Sequence, residues 1–211
     1  MQTTFRVIAA AVGFIALALQ FVLEVRLPHG PGLFGSTVNF FSYFTVLANS
    51  AASLAMLMPA IASESNTVGR FLSLPSVRTA IAGYLIVVGG TYFFFLRHVG
   101  NDEGLERVAD QLMHYVTPVL FMIDWLAFVP KGHVPLTIIG SSLIPPIVYG
   151  IWTVVHGSRS GWYPYPFLNM KALGYHAAFV NMATVLVVFT TVAVILVVVD
   201  RLMGSVRQSV R

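Results

Sequence analysis

The chain of 211 residues contains no cysteine, and only 9% of it is charged, with twelve lysines and arginines against eight acidic residues. Without cysteine there is no disulfide, no thiolate metal site and no cysteine nucleophile. With so little charge and a mean hydropathy of +0.81, the chain lies far outside the range of soluble domains. It also lacks internal repeats and low-complexity tracts. The net charge of +4 does not point to nucleic acid, because the basic residues are scattered at the ends of apolar runs and form no continuous patch.

Apolar runs make up most of what is there. A helix needs about 20 mostly apolar residues to cross the hydrocarbon core of a bilayer, and six windows satisfy this: 7–25, 39–62, 78–97, 112–129, 135–156 and 176–199. The first is too long for a signal-peptide core and has no small-residue cleavage site after it. The expected fold is therefore all-α: one six-helix transmembrane domain over residues 1–211, with short connections. An even number of spans puts both termini on one side. Seven basic residues (Arg6, Arg70, Arg78, Lys131, Arg201, Arg207, Arg211) fall on that side and five (Arg26, Arg97, Arg107, Arg159, Lys171) on the other, which places the termini in the cytoplasm. The expected location is the cytoplasmic membrane of a bacterium.

The polar residues sort by depth. Gln20, Glu24, Thr45, Tyr92, Arg97, His98, His114, His156, His176 and Asn181 all fall toward the end opposite the termini. Ionisable groups at membrane depth seldom face lipid, so a water-accessible cavity opening outward is expected there. In "NFFSYFTVLANSAAS", Ser42, Thr45, Asn49 and Ser53 recur at helical spacing and form one seam on the second span. Helix packing explains such a seam well. A hydroxyl nucleophile at Thr45 explains it too, provided a base is near. His114, in "QLMHYVTPVLFMIDW", lies at the same depth and is the candidate base, and Pro118 leaves its carbonyl without a helical donor.

Asp124 stands ten residues beyond His114, which is about 15 Å along the axis and roughly 80° around it. It is expected to bind an inner partner such as Lys131, or to make a structural hydrogen bond to another helix, and to stay well away from the imidazole. "GSRSGWYPYPFLNMKALGY", before the last span and carrying Trp162 and Tyr163, reads as an interfacial aromatic belt or, with its prolines, as a stiff lid over the cavity, and "SSLIPP" as a kink that widens the cavity. Six histidines raise zinc as an alternative. However, His29, His98, His114, His156 and His176 come from separate segments and no HExxH motif occurs. The expectation is a metal-independent site without a cofactor.

"YFTVLAN", "HYVTPVLFMID" and "GWYPYPFL" together resemble the androgen-induced and FAR-like family of integral membrane proteins, including its bacterial six-helix members. Eukaryotic members are threonine hydrolases that cleave fatty acid esters of hydroxy fatty acids. The resemblance implies Thr45 as nucleophile and His114 as its histidine. It implies Asp124 as the family's acid, where animal members carry glutamate. Asn49 falls near an asparagine of the family, but "TVLAN" here is longer than the "TFLN" of animal forms. The implied activity is hydrolysis of a lipid ester that enters from the bilayer, through an acyl-enzyme. Ser42, Asn49, Asp124, Tyr92, His176, Asn181, Trp162 and Tyr163 are the candidate supporting or substrate-binding residues. A non-enzymatic lipid-binding or transport protein is the competing expectation.

Overall fold

The computed structural model describes residues 1–26, 31–61, 66–99 and 103–209, with side chains through 206. His29 and Arg211 lie outside the described residues, as does the side chain of Arg207. The described residues are helical and contain no strand. Five helical stretches are long and apolar enough to cross a membrane: Gln2–Val25, Phe44–Ile61, Pro75–Leu96, Ile138–Ser160 and Tyr175–Val206.

In chain order the helices are α1 (Gln2–Val25), α2 (Gly32–Phe41), α3 (Phe44–Ile61), α4 (Thr67–Ser73), α5 (Pro75–Thr91), α6 (Leu105–Gln111), α7 (Thr117–Phe128), α8 (Ile138–Ser141), α9 (Ile144–Ser160), α10 (Met170–Leu173) and α11 (Tyr175–Ser209). A π-helical turn, Tyr92–Leu96, continues α5, and another, Leu112–Val116, joins α6 to α7. The window at 112–129 thus belongs to a longer helical segment, 105–128, whose polar content is raised by Asp110, His114 and Asp124.

Two expectations about local structure change. The window at 39–62 is not one helix: the chain breaks at Ser42–Tyr43, and the seam continues on α3 with Thr45, Asn49 and Ser53, all buried. The prolines of "SSLIPP" do not kink a continuous helix either. They start α9, occupying its first turn, where a missing N–H is tolerated. The Ser142 carbonyl, which Pro146 cannot serve, instead accepts from the Tyr84 hydroxyl at 2.8 Å.

Small residues bring the helices together. α1 buries Ala9, Ala10, Gly13 and Ala16, and α3 buries Ala48, Ala52 and Ala55. A Cβ at Gly13 would collide with the Ser53 hydroxyl, so the two backbones approach as closely as small side chains allow.

The end carrying the termini is locked by charge. Asp124 is fully buried and is held by Arg6, whose Nε donates to it at 2.6 Å, and by Arg78. Arg78 also donates to the Ala55 carbonyl at 2.7 Å. These are the partners of Asp124 in place of the expected Lys131, which donates to the Trp125 and Val129 carbonyls. Depth explains the exchange, since Arg6 begins α1 and Arg78 begins α5 at the level where Asp124 ends its turn of α7. Nearby, Asp200 on α11 accepts from the amides of Gly132 and Val134 and fixes the connection before α8.

Breaking a buried ion pair by removing one partner strands the other charge. Asp124→Ala should lower stability by about 3–5 kcal/mol, read by denaturant titration in detergent micelles. A triple Asp124→Leu, Arg78→Met, Arg6→Met variant, which removes all three charges, should recover most of that loss.

Candidate functional site

The site is built at the late start of α3. Because the chain breaks at Ser42–Tyr43, the Thr45 amide lies in a first helical turn, where N–H groups have no intrahelical acceptor. Three side chains from later in the chain close the break. The Tyr149 hydroxyl donates to the Ser42 carbonyl at 3.0 Å, Trp152 Nε1 donates to the Ser42 hydroxyl at 2.9 Å, and the Thr45 amide donates to the Tyr165 hydroxyl at 3.2 Å.

Thr45 Oγ1 lies 3.5 Å from His114 Nε2 and 3.2 Å from the Tyr165 hydroxyl. The other imidazole nitrogen, Nδ1, is 3.0 Å from the Asp110 carbonyl and 3.6 Å from the Asp110 carboxylate. A carbonyl can only accept, so Nδ1 carries the proton and, in the neutral ring, Nε2 presents a lone pair to Thr45. The Thr45 proton then points at Nε2, which leaves Tyr165 to donate to Thr45 Oγ1. The chain of donors is fixed in one direction: Thr45 N–H to Tyr165, Tyr165 O–H to Thr45 Oγ1, Thr45 O–H to His114.

The imidazole is held on several sides. Tyr92 stacks on it with centroids 4.0 Å apart and an interplanar angle of 13°, and its hydroxyl donates to the Asp110 carboxylate at 3.5 Å. The π turn widens the helix at His114, just before Pro118. In its i+5 register the carbonyl that Pro118 cannot serve is that of Met113, which accepts from Asn49 at 3.1 Å, and Gly89 on α5 packs against the His114 carbonyl, where a Cβ would lie only 2.9 Å from the oxygen. Burial pushes the Tyr165 phenol above the usual tyrosine pKa, so it stays a neutral O–H donor.

The remaining expected residues are placed as follows. Asn49 is fully buried and donates to the carbonyls of Thr45 (2.8 Å) and Met113 (3.1 Å). Its amide protons are spent on backbone, so it braces α3 against the π turn and has only an oxygen left, which cannot stabilise an oxyanion. Ser42 closes the helix break. Trp162 packs edge-on against Tyr43, with centroids at 5.4 Å, and Tyr163 covers Gly157. Asn181 tethers the aromatic segment by donating to the Phe167 carbonyl at 2.8 Å. His176 is exposed, and Asp124 belongs to the opposite end of the bundle.

Two contributors escape the sequence reading. Asp110 is four residues before His114, a spacing that puts both on one helix face and was legible. Tyr165 is one of several aromatics in its segment, and nothing local singles it out.

The cavity beside Thr45 differs from the expected one. Its volume is about 380 Å³ and its wall is overwhelmingly apolar, with Thr45 and the Tyr149 and Tyr165 rings among its lining and Phe189 packed 5.3 Å from Phe44. It opens sideways between α9 and α11, where Ile151 and Phe179 are 61% and 51% exposed. Several polar residues are satisfied by backbone within the bundle, as Ser42 is by the Val38 carbonyl and Ser53 by the Asn49 carbonyl. Among the described residues no three His, Asp or Glu side chains converge as a metal site would require. Comparison with protein-family models, curated proteins and solved structures finds no match.

The contact at Gly89 makes a structural prediction. Gly89→Ala forces the His114 carbonyl away and should cost about 1–3 kcal/mol of stability, as overpacking does. Gly90→Ala, inside α5 with nothing within 4 Å, should instead raise stability by about 0.5–1 kcal/mol, as this change does in a helix interior. Parallel thermal denaturation of the two variants in detergent checks this.

Proposed function

We propose that this protein is an integral membrane hydrolase of lipid esters, with Thr45 as nucleophile and His114 as general base. The observation that carries the reading is the Thr45 hydroxyl, directed at an unprotonated imidazole nitrogen on the rim of an apolar cavity open toward lipid. A hydroxyl is a weak nucleophile unless a neighbouring base removes its proton in the attack, and catalytic hydrogen bonds are often long before substrate binds. The resemblance of the three quoted motifs to threonine hydrolases of fatty acid esters points the same way.

In the proposed reaction Thr45 Oγ1 attacks the ester carbonyl carbon while its proton passes to His114 Nε2. Asp110 keeps the imidazole in the required tautomer and favours its cationic form. The tetrahedral intermediate collapses, the alcohol oxygen leaves with the proton from His114, and the acyl group stays on Thr45. Water, activated by the same imidazole, then releases the fatty acid. As Thr45 Oγ1 becomes the ester oxygen it releases the Tyr165 O–H, which in this reading turns to the developing oxyanion.

The topology that accompanies this reading has six crossings. Segment 105–128 is the fourth, with an apolar outer face (Val119 57% and Ile123 45% exposed) and with His114 and Asp124 turned to α1, α3 and α5. Both termini are in the cytoplasm, and Thr45 is near the outer surface. Ser158 and Ser205 are exposed at opposite ends, and cysteines placed there in this cysteine-free chain report the orientation. An impermeant maleimide on intact cells should label position 158 and not 205; the reverse pattern inverts the topology.

Catalysis is tested on purified variants. Thr45→Val and His114→Ala should each abolish ester hydrolysis while the protein remains folded, and Thr45→Ser should keep part of it. The double Thr45→Val, His114→Ala variant should be little worse than either single change, as expected of groups acting as one unit. If the cavity only carries lipid, the parental protein binds fatty acid without turnover, and Thr45→Val binds it equally well.

A further inference from the structure

Thr45, His114 and Tyr165 are each less than a tenth exposed, so a ligand reaches them only where some side chain yields. Around the Tyr165 phenol the rings are packed together. Tyr43 meets Trp162 and Tyr165 edge-on with centroids 5.4 and 5.8 Å away, and Tyr165 stacks on Phe167 at 5.3 Å. Entry through that group would separate several ring pairs at once.

The sideways barrier is smaller. The exposed side chains Ile151 on α9 and Phe179 on α11 both belong to the cavity wall. Gly150 precedes Ile151, and Met182 lies three residues after Phe179, on the same face of α11. A Cβ on Gly150 would come within 2.8 Å of the Met182 methyl, so the tip of that side chain spans the seam and rests on the bare backbone of α9. Met182 also lines the cavity and is partly exposed. A thioether chain is unbranched and turns about three bonds, so its tip can leave Gly150 without moving either helix.

The chemistry of what crosses follows from the wall and its surroundings. Among the described residues no charged side chain lines the cavity, and the helical stretches that carry the seam, Ile138–Ser160 and Tyr175–Val206, are long and apolar enough to stand in a bilayer. From these observations we propose that acyl chains of lipids enter the cavity from the bilayer across the α9–α11 seam, and that Met182 is the residue that limits their passage. This entry step is a binding property; its bearing on turnover rests on the lipid-ester reading. A gate of this kind is closed in both the free and the loaded protein, so it slows entry and exit alike and leaves affinity nearly unchanged. A side chain that only lines the wall acts mainly on dissociation.

The test uses the full chain in lipid nanodiscs. Binding and release of cis-parinaric acid, a linear fluorescent fatty acid, are followed by stopped flow, with hydrolysis of p-nitrophenyl palmitate measured in parallel. Met182→Ala should raise both rate constants by roughly threefold or more, the factor to which a rotamer penalty corresponds. Because the chain has no cysteine, Met182→Cys also offers a reversible block. A benzyl thiosulfonate attached there should slow both steps, and a reductant should restore them. The same label on Val187→Cys, where the parental side chain is 64% exposed and outside the cavity wall, should do neither. Unchanged rates in Met182→Ala, a change in dissociation alone, or an equal effect from position 187 overturns the gate, and the hydrolase reading stands if the ester is still cleaved. Gated binding without cleavage upholds the gate and removes the hydrolase reading. Absence of both binding and cleavage overturns both.

Discussion

Lipid offers no partner for a free amide or carbonyl, so a helix that begins inside the apolar zone must have its first turn satisfied by protein. The break at Ser42–Tyr43 creates that demand, and the rest of the site answers it. Tyr149 and Trp152 from α9 serve Ser42, and Tyr165 from the segment before α11 serves the Thr45 amide. A continuous helix over 39–62 would have used the Thr45 amide in its own ladder. Tyr165 would then have no reason to reach in, and the Thr45 hydroxyl would lose its donor.

The two ends of the bundle divide the work. Near the termini, Arg6, Arg78 and Asp124 form a buried charged cluster that joins α1, α5 and α7. Such clusters add little net stability compared with apolar packing but penalise any arrangement that separates them. The register they impose is what α5 and segment 105–128 carry to the far end, where Tyr92 must stack on His114 and Gly89 must meet its carbonyl. The catalytic geometry proposed for Thr45 and His114 therefore depends on contacts a full helix length away.

Much of this organisation was legible in the sequence. The apolar windows locate the long helices, and counting depth along them puts Thr45 and His114 at one level, where the structure holds them 3.5 Å apart. The same counting separates Asp124 from both, and applied to Arg6 and Arg78 it would have named its partners ahead of Lys131. The break before α3 was hidden because apolar residues run straight through "NFFSYFTVLAN" without glycine or proline, and only tertiary bonds to Ser42 reveal it. The lateral, dry character of the cavity was hidden for a related reason: counting polar residues says nothing of how many are satisfied by neighbouring backbone. Tyr165 depends on how the chain turns after Gly161, whose φ of +75° ends α9, and a run of four aromatic side chains does not say which of them turns inward.

The account stands on the Thr45 oxygen being the reactive atom beside the apolar cavity. Labelling purified protein with a long-chain alkyl fluorophosphonate and mapping the adduct by mass spectrometry tests this most directly. The account predicts a single adduct on Thr45, absent in His114→Ala and blocked by prior addition of a long-chain fatty acid. An adduct on any other residue, or labelling of Thr45 that persists unchanged in His114→Ala, would contradict it.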